Sequence, residues 1–395
     1  MVNLSVEIAG ITFKNPIIIA SGTPTINKDN MLKCIKAGAA GLVTKTVTYA
    51  KLHQLQPRPR FKVIHPEEIV RGGYFSLYSI ELMSPYDPST WSKHLKAVKS
   101  EAKKNEVVLI ASIAGRNLDE WGKLAKLAED SGADMIELNL SCPHVEEEEG
   151  SLMGKVVATK DRIIESIVKV IRENASIPVI GKLTPHGANP LDSALTLERV
   201  GVDAIVATAR FQGLIIDIET MRPILWGGFG GYGGPWMVPI SCGWVAKIAL
   251  HGIKVPIIGS GGISDYSDII RFLLVGAKAV QVCTAVIIKG FKVISEMIND
   301  LENWLYKRGF NSINDIVGKS LSEIVPLERL DRETKYKAVI DKNRCTLCGI
   351  CRRSCFYSAI DYVNRRLVVN HDVCDGCGLC VSLCPQNAIK LIKVE

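Results

Sequence analysis

The chain has 395 residues, 47% apolar and 23% charged, the balance of a globular protein long enough to bury a large core without disulfide staples. Its 48 basic and 41 acidic side chains leave a net charge of +7, too mild and too dispersed to argue for nucleic acid. No run approaches the roughly 18 consecutive apolar residues of a membrane-spanning helix, and the opening residues lack a basic stretch followed by an apolar one, so neither membrane nor export is expected, and the cytoplasm is the expected compartment.

In chain order, short β-branched apolar runs alternate with helical stretches as far as residue 335, the pattern of βα units around a parallel sheet. The predicted strands are 16–20, 41–45, 107–112, 134–139, 178–183, 204–208, 256–260 and 278–283. Most are continuous apolar runs, as expected of strands covered on both faces. Between them 118–130, 161–173 and 265–274 carry apolar residues at three- and four-residue spacing, which predicts helices. Eight such strands close a (β/α)8 TIM barrel, expected over 1–335, with a smaller α+β unit over 336–395.

Barrel active sites lie at the carboxyl ends of the strands. Those ends carry Ala20-Ser21, Lys45-Thr46, Asn139, Lys182, Thr208, Gly261-Gly262 and Cys283-Thr284. A lysine ending an apolar strand is an expensive charge to bury. One such residue is as easily explained by snorkelling to solvent. Two of them, with a Gly-Gly pair after the seventh strand, point to an anionic ligand, because glycines let backbone N–H groups approach phosphate oxygens.

Of 12 cysteines, eight fall in the last unit, spaced Cys345-x-x-Cys348-x-x-Cys351-x-x-x-Cys355 and again Cys374-x-x-Cys377-x-x-Cys380-x-x-x-Cys384. This is the spacing of bacterial two-cluster ferredoxins, in which the fourth cysteine of each run serves the other cluster. The expected ligand sets are Cys345, Cys348, Cys351 and Cys384 for one 4Fe–4S cluster, and Cys374, Cys377, Cys380 and Cys355 for the second. A disulfide framework would need an oxidising compartment. Zinc sites space their cysteine pairs differently.

The stretch Ile136-Glu137-Leu138-Asn139-Leu140-Ser141-Cys142-Pro143-His144 resembles the active-site loop of dihydropyrimidine dehydrogenases and class 1 dihydroorotate dehydrogenases. The resemblance continues through Thr44-Lys45-Thr46, Ile80-Glu81-Leu82, Lys182-Leu183-Thr184-Pro185 and Gln281-Val282-Cys283-Thr284-Ala285. It implies FMN in the barrel mouth, held by Ala20, Ser21, Lys45, Thr46, Glu81, Asn139, Lys182, Thr208, Gly261, Gly262, Cys283 and Thr284. It implies Cys142 as the acid–base that exchanges a proton with one substrate carbon while flavin exchanges hydride with its neighbour. Asn139 and His144 would meet the substrate. Three positions depart from the pattern: Ser79 stands for an asparagine, and Ala209-Arg210 for an Asn-Thr pair. Ser79 and Arg210 are therefore expected to reshape the substrate pocket; a cationic Arg210, with no carboxylate in 211–216, either clamps an anionic substrate or turns outward to solvent or to Asp217 or a glutamate of 146–149. Dihydroorotate oxidation is the alternative to a dihydropyrimidine activity.

The chain lacks a strand-linked G-x-G-x-x-G fingerprint. NAD(P)H is therefore expected to act through a flavoprotein subunit, or a free ferredoxin to be the electron partner, in an oligomer.

Overall fold

The computed structural model describes residues 2–140, 152–153, 161–185 and 189–394. Contacts divide the chain into two units, Met1–Ser322 and Glu323–Glu395, a division ahead of the expected 335/336 boundary.

In the first unit eight parallel strands close a barrel in sequence order. They are β1 (Ile17–Ile19), β2 (Gly41–Val43), β3 (Val108–Ile113), β4 (Met135–Asn139), β5 (Val179–Lys182), β6 (Ala204–Ala207), β7 (Ile257–Ser260) and β8 (Ala279–Val282). Each lies within or beside its predicted run. Closure is explicit in the register: Val280 and Val282 of β8 pair with Ile17 and Ile19 of β1.

The outer helices are α1 (Lys28–Lys36), α2 (Pro88–Lys104), α3 (Leu118–Asp130), α4 (Asp161–Asn174), α5 (Pro190–Arg199), α6 (Val238–Leu250), α7 (Tyr266–Leu274), α8 (Thr284–Lys289) and α9 (Lys292–Lys307). Their starts are written in the sequence. Asn117, Asp87 and Asp265 cap α3, α2 and α7 by accepting backbone N–H bonds, each such cap contributing about 1 kcal/mol. In α3, Trp121, Leu124, Ala125 and Ala128 are all fully buried, the apolar stripe that docks the helix on the barrel. Among the described residues no helix is long and apolar enough to cross a membrane.

One element was not foreseen. A four-stranded antiparallel sheet, ordered Phe211–Gly213, Gly230–Gly233, Ser76–Ser79 and Phe61–Ile64, is assembled from the β2–α2 and β6–α6 connections. It joins two excursions that lie far apart in the chain at the end of the barrel where the strands finish.

The second unit repeats one motif twice. Strand Lys335–Ile340 pairs with Ile389–Val394, a hairpin pairs Ile360–Val363 with Arg366–Val369, and short helices Ile350–Arg353 and Leu379–Leu383 follow the two cysteine loops. Its small core is Ala338, Cys351, Ala359, Ile360, Leu367, Cys374 and Ile389.

Candidate active site

The strand ends of the barrel converge on a pocket of about 1070 Å³, its open mouth included. All twelve residues expected to hold a cofactor line it, as does Arg210. Cys142 and His144 lie outside the described residues.

Two buried ion pairs set the electrostatics. After β2, Lys45 Nζ lies 3.2 Å from Glu81 Oε1, and the Thr23 hydroxyl donates to the same oxygen at 2.6 Å. Burial alone would push the Glu81 carboxyl up, but Lys45, Arg210 and Thr23 together outweigh it and hold it below the usual carboxylate range. At the end of β5, Lys182 Nζ donates to Gln281 Oε1 at 2.6 Å and lies 3.5 Å from Glu137 Oε1. Gln281 Nε2 closes the triangle on Glu137 Oε2. Glu137 and Gln281 were not foreseen as site residues. Their signal was a carboxylate and an amide inside the otherwise apolar strands β4 and β8, where polar groups must find partners.

A chain of hydroxyls also lines the pocket. Asn139 Nδ2 donates to Thr46 Oγ1 at 3.0 Å, and Thr46 Oγ1 lies 2.9 Å from Ser112 Oγ and 3.2 Å from Ser21 Oγ. The Cys283 thiol is pushed up to about 11, first by burial and then by the nearby Glu81 charge. It is therefore a neutral thiol at neutral pH, not a nucleophile.

Ser79 and Arg210 meet each other. Ser79 is fully buried on its sheet strand and does not line the pocket. Its hydroxyl accepts from Arg210 Nη1 at 2.6 Å. The expected lack of a nearby carboxylate holds for 211–216, yet Glu81, from a different connection, lies within electrostatic reach of Arg210. Ser79 thus acts on the pocket through Arg210, and the guanidinium is anchored rather than loose.

The pocket suits a phosphorylated flavin. Thr208 Oγ1 and Ser241 Oγ are buried without a hydrogen-bond partner among the described residues, and such groups call for a ligand or water. Thr208 lines the pocket; Ser241 lies behind Gly261, where a Cβ would come 2.5 Å from its hydroxyl. Gly261 and Gly262 have φ of +118° and +87°, exposing backbone where side chains would close the cradle. Three cations, Lys45, Lys182 and Arg210, face two carboxylates there, leaving a surplus for an anion. Gly262→Ala is expected to be destabilising by about 1–3 kcal/mol and to purify with little flavin. Its Cβ would sit 2.7 Å from the Gly234 carbonyl oxygen and 3.0 Å from the Val238 nitrogen, both backbone atoms. An unchanged melting temperature with full flavin content would contradict this.

The second unit holds two cysteine-lined voids. Cys345, Cys348, Cys351 and Cys384 line one, about 310 Å³ with its open mouth included, and Cys355, Cys374, Cys377 and Cys380 line the other, about 380 Å³ on the same measure. These are the crossed quartets expected from the spacing.

Residues 3–305 match the dihydroorotate dehydrogenase family and residues 338–391 match the 4Fe-4S dicluster domain. The chain belongs to the dihydroorotate dehydrogenase family. Similar members include the dihydroorotate dehydrogenase B (NAD(+)) catalytic subunit of Pyrococcus abyssi, 34% identical over 80% of this chain and 99% of the relative. The NAD-dependent dihydropyrimidine dehydrogenase subunit PreA of Escherichia coli K12 is 30% identical over 90% of this chain and 85% of the relative. As a member of the dihydroorotate dehydrogenase family with a fused dicluster domain, the chain is an FMN- and 4Fe–4S-dependent oxidoreductase acting on CH–CH bonds, and its ferredoxin unit transfers electrons.

Proposed function

We propose that the chain exchanges electrons between a dihydropyrimidine-type ring and a protein partner, through FMN in the barrel and the two crossed cysteine quartets. The observation that carries this reading is the pocket itself, whose strand-end lysines, glycine cradle and orphaned Thr208 hydroxyl sit in one chain with two pockets each lined by four cysteines. FMN, when bound, supplies hydride exchange with one ring carbon and the change from two-electron to one-electron transfer. Ala20, Ser21, Lys45, Thr46, Glu81, Asn139, Lys182, Thr208, Gly261, Gly262, Cys283 and Thr284 would hold it. Lys182, pinned by Glu137 and Gln281, fixes a positive charge in the pocket. Cys142 gives or takes the proton at the neighbouring ring carbon, with His144 and Asn139 orienting the ring. The electron partner is an NAD(P)H-linked flavoprotein subunit or a free ferredoxin, in a cytoplasmic oligomer, where reduced thiolates persist.

Arg210 favours a second reading within the same chemistry, a ring bearing a carboxylate as dihydroorotate does. Its guanidinium lines the pocket with Ser79 holding one nitrogen, and an arginine fork pairs well with a carboxylate. The test is anaerobic. The reconstituted protein, expected to hold about eight irons from two cubanes and one FMN, is mixed with dihydrouracil or dihydroorotate without any partner, and flavin absorbance is followed. Bleaching by either supports the CH–CH reading, and bleaching by neither overturns it. Arg210→Gln is expected to weaken dihydroorotate at least about tenfold more than dihydrouracil. Equal losses would remove Arg210 as a carboxylate clamp.

A further inference from the structure

The two cysteine runs are copies of one repeat, which makes each a control for the other. Aligned at their cysteines, Arg344, Arg352 and Arg353 of the first run stand where the second has Val373, Val381 and Ser382. Conversely, Asn343 and Thr346 of the first stand where the second has Asp372 and Asp375. The backbone therefore does not require these arginines, since the second copy builds the same short helix without them.

The arginines are exposed around the first loop. Arg344, Arg352 and Arg353 are all exposed, as are Cys348 and Leu347 between them. Arg352 pairs with Asp361 at 2.7 Å and lies 5.8 Å over the Tyr362 ring. Tyr362 in turn donates to the Leu347 carbonyl at 3.0 Å, which ties the hairpin to this loop. The hairpin turn adds the exposed Arg365 and Arg366. Around the second loop Asp375 sits beside Tyr357, and Lys337 is turned inward to donate to the Cys374 carbonyl at 2.6 Å.

We propose that the arginine rim around the Cys345–Cys348–Cys351 loop is the docking surface for a small acidic one-electron carrier protein. Exposed Leu347, with Tyr362 and Val363 also exposed on the adjoining hairpin and Arg344, Arg352 and Arg353 on the same loop, gives an apolar patch with basic neighbours, the arrangement that electrostatic steering needs, because charge complementarity speeds encounter and fixes orientation. The acidic second loop repels the same carrier, so the repeat presents one entrance and not two. This rests on the reading above that electrons leave through the quartets.

The test measures binding, not turnover. Full-length holoprotein is immobilised, and association of a purified small acidic 4Fe–4S ferredoxin is followed at rising salt, with a basic c-type cytochrome as the control probe. The ferredoxin is expected to bind, to weaken as salt rises and to outcompete the cytochrome. Arg344→Glu with Arg353→Glu is expected to slow association about tenfold or more. The mirrored pair Val373→Glu with Ser382→Glu adds charge at the matching positions of the second run and is expected to change it less than about twofold. Lys342→Gln with Arg344→Gln, a milder change, keeps the test open should the reversed pair lose its iron. Equal effects of the first-run and mirrored pairs, or preference for the cytochrome, would overturn the proposal. Flavin bleaching by substrate is untouched by any of these outcomes, so a failure here is distinguishable from a failure of the dihydropyrimidine reading.

Discussion

Cys142→Ala is expected to retain FMN and iron while losing about a hundred- to ten-thousandfold in turnover, the usual range for a general acid–base group. Forming or reducing a carbon–carbon double bond beside a carbonyl separates the two hydrogens. One moves as hydride and the other as a proton, and the proton needs a group poised to take or return it. Among the pocket residues, Cys283 is held as a neutral thiol near 11, and Lys45 and Lys182 are engaged by Glu81 and Glu137. The family resemblance implies that this group is Cys142 of the Asn139-Leu140-Ser141-Cys142 segment. Cys142→Ser is expected to keep a small fraction of the rate, since a hydroxyl relays a proton but is a much weaker acid. Single-turnover flavin reduction by substrate is the measurement, and an alanine variant as fast as the parent would hand the role to another residue.

Lys182→Met is expected to cost about 3–5 kcal/mol of stability, because it strands the Glu137 carboxylate inside the barrel without its cation. Glu137 is fully buried and Lys182 nearly so, at 0% and 9% exposure. Gln281 satisfies one oxygen of the carboxylate but brings no charge. The double variant Lys182→Met with Glu137→Gln removes both charges and is expected to recover most of the loss. Melting temperatures of the parent, two single variants and double variant form the cycle. Additive losses would show that the two charges do not depend on each other.

The barrel was legible because its strands are continuous apolar runs, a signal that needs no partner to be read. The crossed cysteine quartets were legible for a similar reason: spacing fixes which thiolates share a loop, and the fourth ligand follows from the repeat. Lys45 and Lys182 stood out as charges ending apolar strands. Glu137 and Gln281 carried the same signal mid-strand and were passed over. The antiparallel sheet was not legible. Its strands are three or four residues long, one of them almost all glycine, and their pairing joins connections far apart in the chain. The Ser79–Arg210 bond spans 131 positions, so two departures that looked separate along the sequence turn out to be one change in space.

That sheet also makes the history of the pocket conditional. Gly231 needs no unusual backbone angle; it pairs with Ser79 across the strands, and a Cβ there would fall 2.6 Å from Arg210 Cζ. A side chain at 231 would leave the fold intact, since a flexible guanidinium can move, but it would drive the arginine off Ser79. The residue at 231 is thus neutral while position 210 is small and consequential once 210 is arginine. A lineage that acquires the charge first gains an unanchored cation, whereas one that acquires the glycine first opens the room in which serine and arginine can then settle together.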